Sequence, residues 1–228
     1  MTCRRLLATG IAGAMIFVLA YAIFVLTPLG QWIDDELLEA FRAEELGRTA
    51  LTSALHLINI ATIALTGIII IAIGAVRHRL TIGIVAVIAF GVSIVAAEVS
   101  KLILPRPEYQ TELDEEIGKA AINTFPSGHS TIIAAGVIAL LWAWGTANRA
   151  MWLLGAGVVI IVVSATVIAG WHRPSDGIGG ISLGVSVMAI SAWLLTCRGP
   201  VGDSVPPESV RQQGIRTLPT AENDAQTA

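Results

Sequence analysis

The chain has 228 residues, of which 54% are hydrophobic and 14% charged, with a formal net charge of −3. Mean hydropathy is +0.74. That balance excludes an ordinary soluble domain and points to an all-α protein that crosses a membrane several times, since a spanning helix needs roughly 20 mostly apolar residues. Its two cysteines, Cys3 and Cys197, lie at opposite ends and resemble neither a disulfide framework nor a metal cluster. Free thiols are expected, with Cys197 placed where it could be acylated.

In chain order, the first apolar run covers about Leu6 to Thr27 and ends before Pro28-Leu29-Gly30. Arg4 and Arg5 precede it as in a signal peptide, but no convincing small-residue cleavage site follows, so an uncleaved helix is expected. Residues 31–48 mix Asp34, Asp35, Glu36, Glu39, Glu44 and Glu45 with apolar residues at helical spacing (Ile33, Leu37, Leu38, Phe41), which predicts an amphipathic helix on the membrane surface. Further spans are expected at about Ala50–Val76, Leu80–Leu104, Ser127–Gly145, Met151–Gly170 and Asp176–Thr196, six in all. A polar, acidic loop joins Arg106 to Phe125. Residues 199–228, rich in Pro, Ser, Gln, Asp and Glu, are expected to form a disordered tail after a membrane domain of residues 1–198.

Orientation follows from the basic residues. Arg4 and Arg5, Arg77 and Arg79, Arg149 and Arg198 fall at alternate ends of successive helices. The positive-inside rule then assigns them, and both termini, to the cytoplasm. The acidic 31–48 segment, the Arg106–Phe125 loop and the loop at His172 fall together on the outer face. Short basic loops suit a plasma membrane.

The stretch with the most chemistry is Asn123-Thr124-Phe125-Pro126-Ser127-Gly128-His129-Ser130. Pro126 reads as a helix opener, and Ser127 and Gly128 would then set backbone N–H groups where the helix dipole favours an anion. Gly128 lets an oxyanion approach, Ser127 adds a hydroxyl, and His129 adds a proton donor near neutral pH. Glu98 and Lys101, three residues apart, share a helix face near the outer end of the third span. Arg106, held between Pro105 and Pro107, presents a guanidinium suited to bidentate phosphate capture. His172 and Asp176 are four apart at the mouth of the last helix, so the carboxylate can fix one imidazole nitrogen and leave the other to attack. Together these make a consistent phosphoryl-transfer site.

Lys101…Arg106-Pro107, Pro126-Ser127-Gly128-His129 and His172-x-x-x-Asp176 resemble, in that order, the signatures of the type 2 phosphatidic acid phosphatase (PAP2) superfamily over roughly residues 6–196. The resemblance implies a six-helix membrane bundle acting on lipid phosphates: phosphatidic acid, phosphatidylglycerol phosphate, or polyprenyl phosphates and diphosphates. It implies His172 as nucleophile, Asp176 as its orienting partner and His129 as general acid, with Lys101, Arg106, Ser127 and Gly128 on the phosphate. No cofactor, metal or nucleic-acid partner is implied. Two departures stand out. Lys101 and Arg106 are closer than the family's usual spacing, which would land on Glu108, and the family's Ser-Arg pair before the nucleophile is replaced by Ala165 and Thr166. Arg173 is the candidate to replace that arginine. A phosphotransferase and a binding-only protein remain the alternatives to a hydrolase. His56 and Asn59 read as interhelical hydrogen-bonding residues, and Trp142, Trp144, Trp152 and Trp193 as interfacial aromatics.

Overall fold

The computed structural model describes residues 2–107 and 124–197, and among these every regular element is a helix. The expected disordered tail, and Glu108 with most of the acidic loop, lie outside the described residues. Helix α1 (Cys3–Ala20) continues without a break into a π-helical turn, Tyr21–Val25. Pro28 then opens α2 (Pro28–Phe41), and the Thr27 hydroxyl caps it by accepting from Gly30 N–H. There follow α3 (Glu45–Leu55), α4 (Ile60–Val76), α5 (Leu80–Ile103), α6 (Gly128–Trp144), α7 (Arg149–Ile168) and α8 (Pro174–Cys197).

Four of these are long and apolar enough to cross a membrane: α1 with its π turn, α5, α7 and α8. The α3–α4 pair passes the same test only if taken together, bent by 48° at the break, and α6 is apolar but has only 17 residues. The continuous span expected at Ala50–Val76 is therefore interrupted. The local cause is Asn59, whose side chain accepts from the N–H groups of Ala61 and Thr62 while the Thr62 hydroxyl accepts from Asn59 N–H. This reciprocal cap starts a new helix at Ile60, so Asn59 is a cap and not an interhelical bridge.

α8 is the central element, packed against α1, α2, α5, α6 and α7. Small residues allow these close approaches. The main apolar cluster joins Ala86, Ala89 and Phe90 of α5 to Ala135, Ala139 and Ala143 of α6, Ile70 of α4 and Met188 of α8. Gly180 of α8 lies so near Ser127 that a Cβ there would be 2.5 Å from the Ser127 carbonyl oxygen. Apolar side chains that point outward, among them Ile69, Val95, Leu154 and Ile160, suit contact with lipid.

α1 and α8 run antiparallel along their lengths, which brings Cys3 and Cys197 together in a disulfide with Cα atoms 5.9 Å apart. The expectation of free thiols is overturned. Sequence distance was a poor guide because the first and last helices are direct neighbours. The same end of the bundle holds Arg77, stacked 4.9 Å over Trp144 and donating to Thr146 Oγ1 at 2.8 Å.

α2 has the amphipathic character expected of it, over Pro28–Phe41 rather than 31–48, but its faces are inverted relative to a simple surface helix. Gln31, Asp34, Asp35 and Leu38, the i, i+3, i+4, i+7 stripe, are buried in the protein. Leu29, Trp32 and Phe41 are exposed. The apolar side looks outward, towards what a membrane would supply, and the carboxylates look in.

Candidate active site

Each catalytic candidate is positioned by a helix terminus. α7 ends in a Schellman turn: Gly170, at φ +75°, places Gly170 N–H on Val167 C=O and Trp171 N–H on Thr166 C=O at 3.0 Å. The turn delivers Trp171 and His172 directly to the mouth of α8. Thr166, where the family's arginine would stand, is fully buried and spends its hydroxyl on Val163 C=O.

α8 starts with Pro174 in its first position, and Asp176 reaches back two ways. Its Oδ2 accepts from Arg173 N–H at 3.1 Å and from Thr124 Oγ1 at 2.6 Å. The same oxygen lies 3.5 Å from His172 Nδ1, an ion-pair separation longer than a hydrogen bond. Asp176 Oδ1 has no hydrogen-bond partner among the described residues; Arg106 Nη1 approaches it to 3.5 Å.

α6 starts one residue after the expected Ser127, and Pro126 does not open it. Pro126 follows a cis peptide bond and lies before the helix, Ser127 is the N-cap, and Gly128 is the first helical residue. The Ser127 hydroxyl accepts from Ser130 N–H at 3.3 Å, and Ser127 N–H donates to Asp176 C=O at 2.9 Å. Ser127 thus ties the cradle to α8, and its N–H is not offered to an anion as predicted. Gly128 lies close under the α5 pair: a Cβ on it would meet Glu98 Oε1 at 3.2 Å and Lys101 Nζ at 3.3 Å. Lys101 itself pairs with Glu98 at 2.7 Å, as their spacing on α5 predicts. The His129 ring lies 6.3 Å from that of His172, centroid to centroid, with Trp171 edge-on to it at 5.3 Å. His56, at the α3–α4 break, meets the other side of Trp171 at 5.1 Å rather than bridging helices.

Arg106 is enclosed beside these groups. Its side chain is 4% exposed, and none of its guanidinium nitrogens has a hydrogen-bond partner among the described residues. Burial, with Arg173 nearby, pulls its pKa down from the ordinary arginine value. Asp34 Oδ2 stands 3.8 Å away on the other side from Asp176. Arg173 is equally buried, with its Nε donating to Asp35 Oδ1.

The structure therefore brings Lys101, Arg106, Gly128, His129, His172, Arg173 and Asp176 to one end of the bundle, opposite the disulfide. Sequence reading missed Asp34, Asp35, Gln31, Thr124 and Trp171. Asp34 accepts from Ser175 N–H at 2.9 Å and from the Ser175 hydroxyl, and Gln31 Nε2 donates to Val25 C=O at 2.7 Å and Pro107 C=O at 3.0 Å. Gln31, Asp34, Asp35 and Leu38 share one helical stripe opposite Leu29 and Trp32, and that spacing was the available signal. No group of three or more His, Cys, Asp or Glu with metal-holding geometry occurs among the described residues.

A comparison with solved structures finds a crystal structure described as the first transmembrane PAP2 type phosphatidylglycerolphosphate phosphatase from Bacillus subtilis. Its TM-score is 0.66 at 18% identity, and the match covers 81% of this chain and 94% of that one, which establishes a shared fold. Among curated sequences, an undecaprenyl-diphosphatase of Sulfolobus acidocaldarius is 33% identical over 128 residues, 53% of this chain and 58% of the relative, so the match spans a little over half of that protein. The PAP2 superfamily model matches residues 80–199, the segment that contains Lys101, Arg106, Ser127, Gly128, His129, His172, Arg173 and Asp176. The chain is a multi-pass, all-helical membrane protein that belongs to the PAP2 superfamily.

Proposed function

We propose that the chain is a lipid phosphatase that hydrolyses a polyprenyl diphosphate or phosphatidylglycerol phosphate through a phosphohistidine at His172. The observation that carries the reading is the buried guanidinium of Arg106, which makes no hydrogen bond among the described residues and lies 3.5 Å from the carboxylate that also faces His172. A phosphate between Arg106, Lys101 and the Gly128 N–H would satisfy these donors and stand before His172.

In this mechanism Asp176 accepts from His172 Nδ1–H, which leaves the Nε2 lone pair free. Nε2 attacks phosphorus, the N–P bond forms, and the P–O bond to the leaving group breaks with its electron pair on oxygen. His129 donates the proton that this oxygen takes up. Water then attacks phosphorus while His129 takes its proton, the N–P bond breaks with its electron pair returning to His172 Nε2, and free phosphate leaves. Arg173, anchored by Asp35, adds positive charge in place of the arginine absent at Thr166.

The same reading takes the bent α3–α4 pair as one span and α6 as another, giving six. Both termini then face the cytoplasm and the site faces the outside of the plasma membrane, with the lipid tail remaining in the bilayer. Support comes from the segregation of Arg77, Arg79 and Arg149 to the disulfide end. The 33% identical relative favours a polyprenyl diphosphate.

The test is phosphate release by the purified full chain in detergent from a panel of polyprenyl phosphates, diphosphates, phosphatidic acid and phosphatidylglycerol phosphate, with EDTA present. EDTA-resistant release that is lost in His172→Ala supports the mechanism. Release that survives in His172→Ala overturns it.

A further inference from the structure

The site contains more buried acid than a phosphate-binding site calls for. Asp34, Asp35 and Asp176 are each at most 4% exposed, and the buried cations among them are Arg106 and Arg173. A phosphate dianion arriving at Arg106 would bring further negative charge to a cluster already short of positive charge, with little water to screen it. We propose that Asp34 takes up a proton when the substrate phosphate binds: ionised, it holds Arg106 in the empty site, and protonated, it yields Arg106 to the phosphate. The proposal rests on Arg106 being the phosphate ligand.

The hydrogen-bond pattern singles out Asp34 among the three. Asp35 Oδ1 faces an arginine N–H, which can only donate, and its Oδ2 is buried with no hydrogen-bond partner among the described residues, so a proton on either oxygen would find no acceptor. Asp176 Oδ2 accepts from the Arg173 backbone N–H, again only a donor, and its Oδ1 faces the Arg106 guanidinium, which offers no acceptor to a proton. Asp34 differs. Its Oδ1 takes Ser175 N–H, while its Oδ2 faces the Ser175 hydroxyl, which can rotate from donor to acceptor. A proton on Oδ2 then donates to Ser175 Oγ, and the carboxyl keeps both contacts. Burial already pushes the Asp34 pKa up to about 6 from 3.8, against the Ser175 hydrogen bonds that lower it. It is therefore near the point of taking a proton before any ligand arrives.

Among the described residues, charged and titratable groups near Asp34 come from several elements. Arg106 comes from the segment after α5, Asp176 from α8, His172 and Arg173 from the turn before α8, and Asp35 from α2 itself. The π turn packed on α2 contributes Tyr21, whose hydroxyl donates to Pro105 C=O at 2.6 Å. α7 carries no ionisable side chain near its α2 end.

The experiment measures sulfate binding to the full chain in detergent, because sulfate is a tetrahedral dianion that does not titrate in this range. In the wild type, the dissociation constant is expected to rise about tenfold per pH unit between about pH 6.5 and pH 8. In Asp34→Asn it should be flat, and in Asp35→Asn the slope should persist. An unchanged slope in Asp34→Asn, or equal loss in both variants, overturns the proposal and leaves Arg106 as ligand. Sulfate affinity that is the same in Arg106→Ala overturns the proposal together with the reading of the site. Should Asp34→Asn fail to fold, infrared difference spectra of the wild type decide. A new protonated-carboxyl band on sulfate binding supports Asp34 uptake, and its absence overturns it.

Discussion

Replacing Gly128 by alanine separates the site's chemistry from the fold's stability. Gly128 is the first residue of α6 and has no positive φ, so alanine suits its backbone. Alanine in place of glycine there should stabilise the helix by up to about 0.5–1 kcal/mol. The added Cβ, however, would lie 3.2 Å from Glu98 Oε1 and 3.3 Å from Lys101 Nζ. Both must move by a few tenths of an ångström, and the methyl group stands where a phosphate oxygen would approach the backbone N–H. Loss of one such donor costs roughly 10²–10³ in kcat, and misplacement by about an ångström costs roughly 10². The expected outcome is a melting temperature equal to or above the wild type, with kcat/KM for lipid phosphate lowered about 10²-fold. Thermal unfolding and phosphate release on the same preparation give both numbers. Wild-type activity in Gly128→Ala would show that the phosphate does not lie against this helix terminus.

Other outcomes follow from contacts described above. Gly180→Ala places a Cβ 2.5 Å from the Ser127 carbonyl, and neither partner is a flexible side-chain end; it should destabilise by about 1–3 kcal/mol and lower kcat together, measured by thermal unfolding and turnover. Asp34 is held ionised at a cost: its folded pKa of about 6 lies above 3.8, so stability falls as pH rises from about 4 to about 6 and is level above. That gap corresponds to about 3 kcal/mol. Asp34→Asn should therefore unfold at a higher temperature than the wild type at pH 8, with the advantage vanishing near pH 4; a difference independent of pH would refute the assignment. Arg173→Ala should reduce kcat/KM by 10-fold or more if Arg173 serves the phosphate, about the worth of one charge-assisted hydrogen bond; full activity would return Arg173 to a purely structural pairing with Asp35.

What the sequence made legible was local. His172 and Asp176, spaced one helical turn apart, do meet at the start of α8, and Glu98 and Lys101 do pair on α5. What the sequence concealed depended on which elements become neighbours. The acidic stripe of α2 reads as solvated until α8 is placed against it, at which point Asp34 caps Ser175 and Asp35 meets Arg173. The role of Ser127 changed for the same reason: its N–H looks free at a helix start and is taken by a carbonyl on another helix. The break at residues 56–59 is hidden by apolar residues on both sides, although the Asn59–Thr62 spacing was readable as a cap. Hydropathy registers side chains, and the interruption is written in backbone hydrogen bonds.

The bond between Cys3 and Cys197 turns the membrane domain into a closed covalent ring. A protease that cuts once in any connection between the helices leaves a single molecule, with its fragments separating only after reduction. The first and last helices cannot drift apart while that ring is intact, so α8, which carries Asp176 at its far end, is anchored at both extremities. The Asp176 carboxylate at one end of the bundle is thus positioned in part by a sulfur–sulfur link at the other.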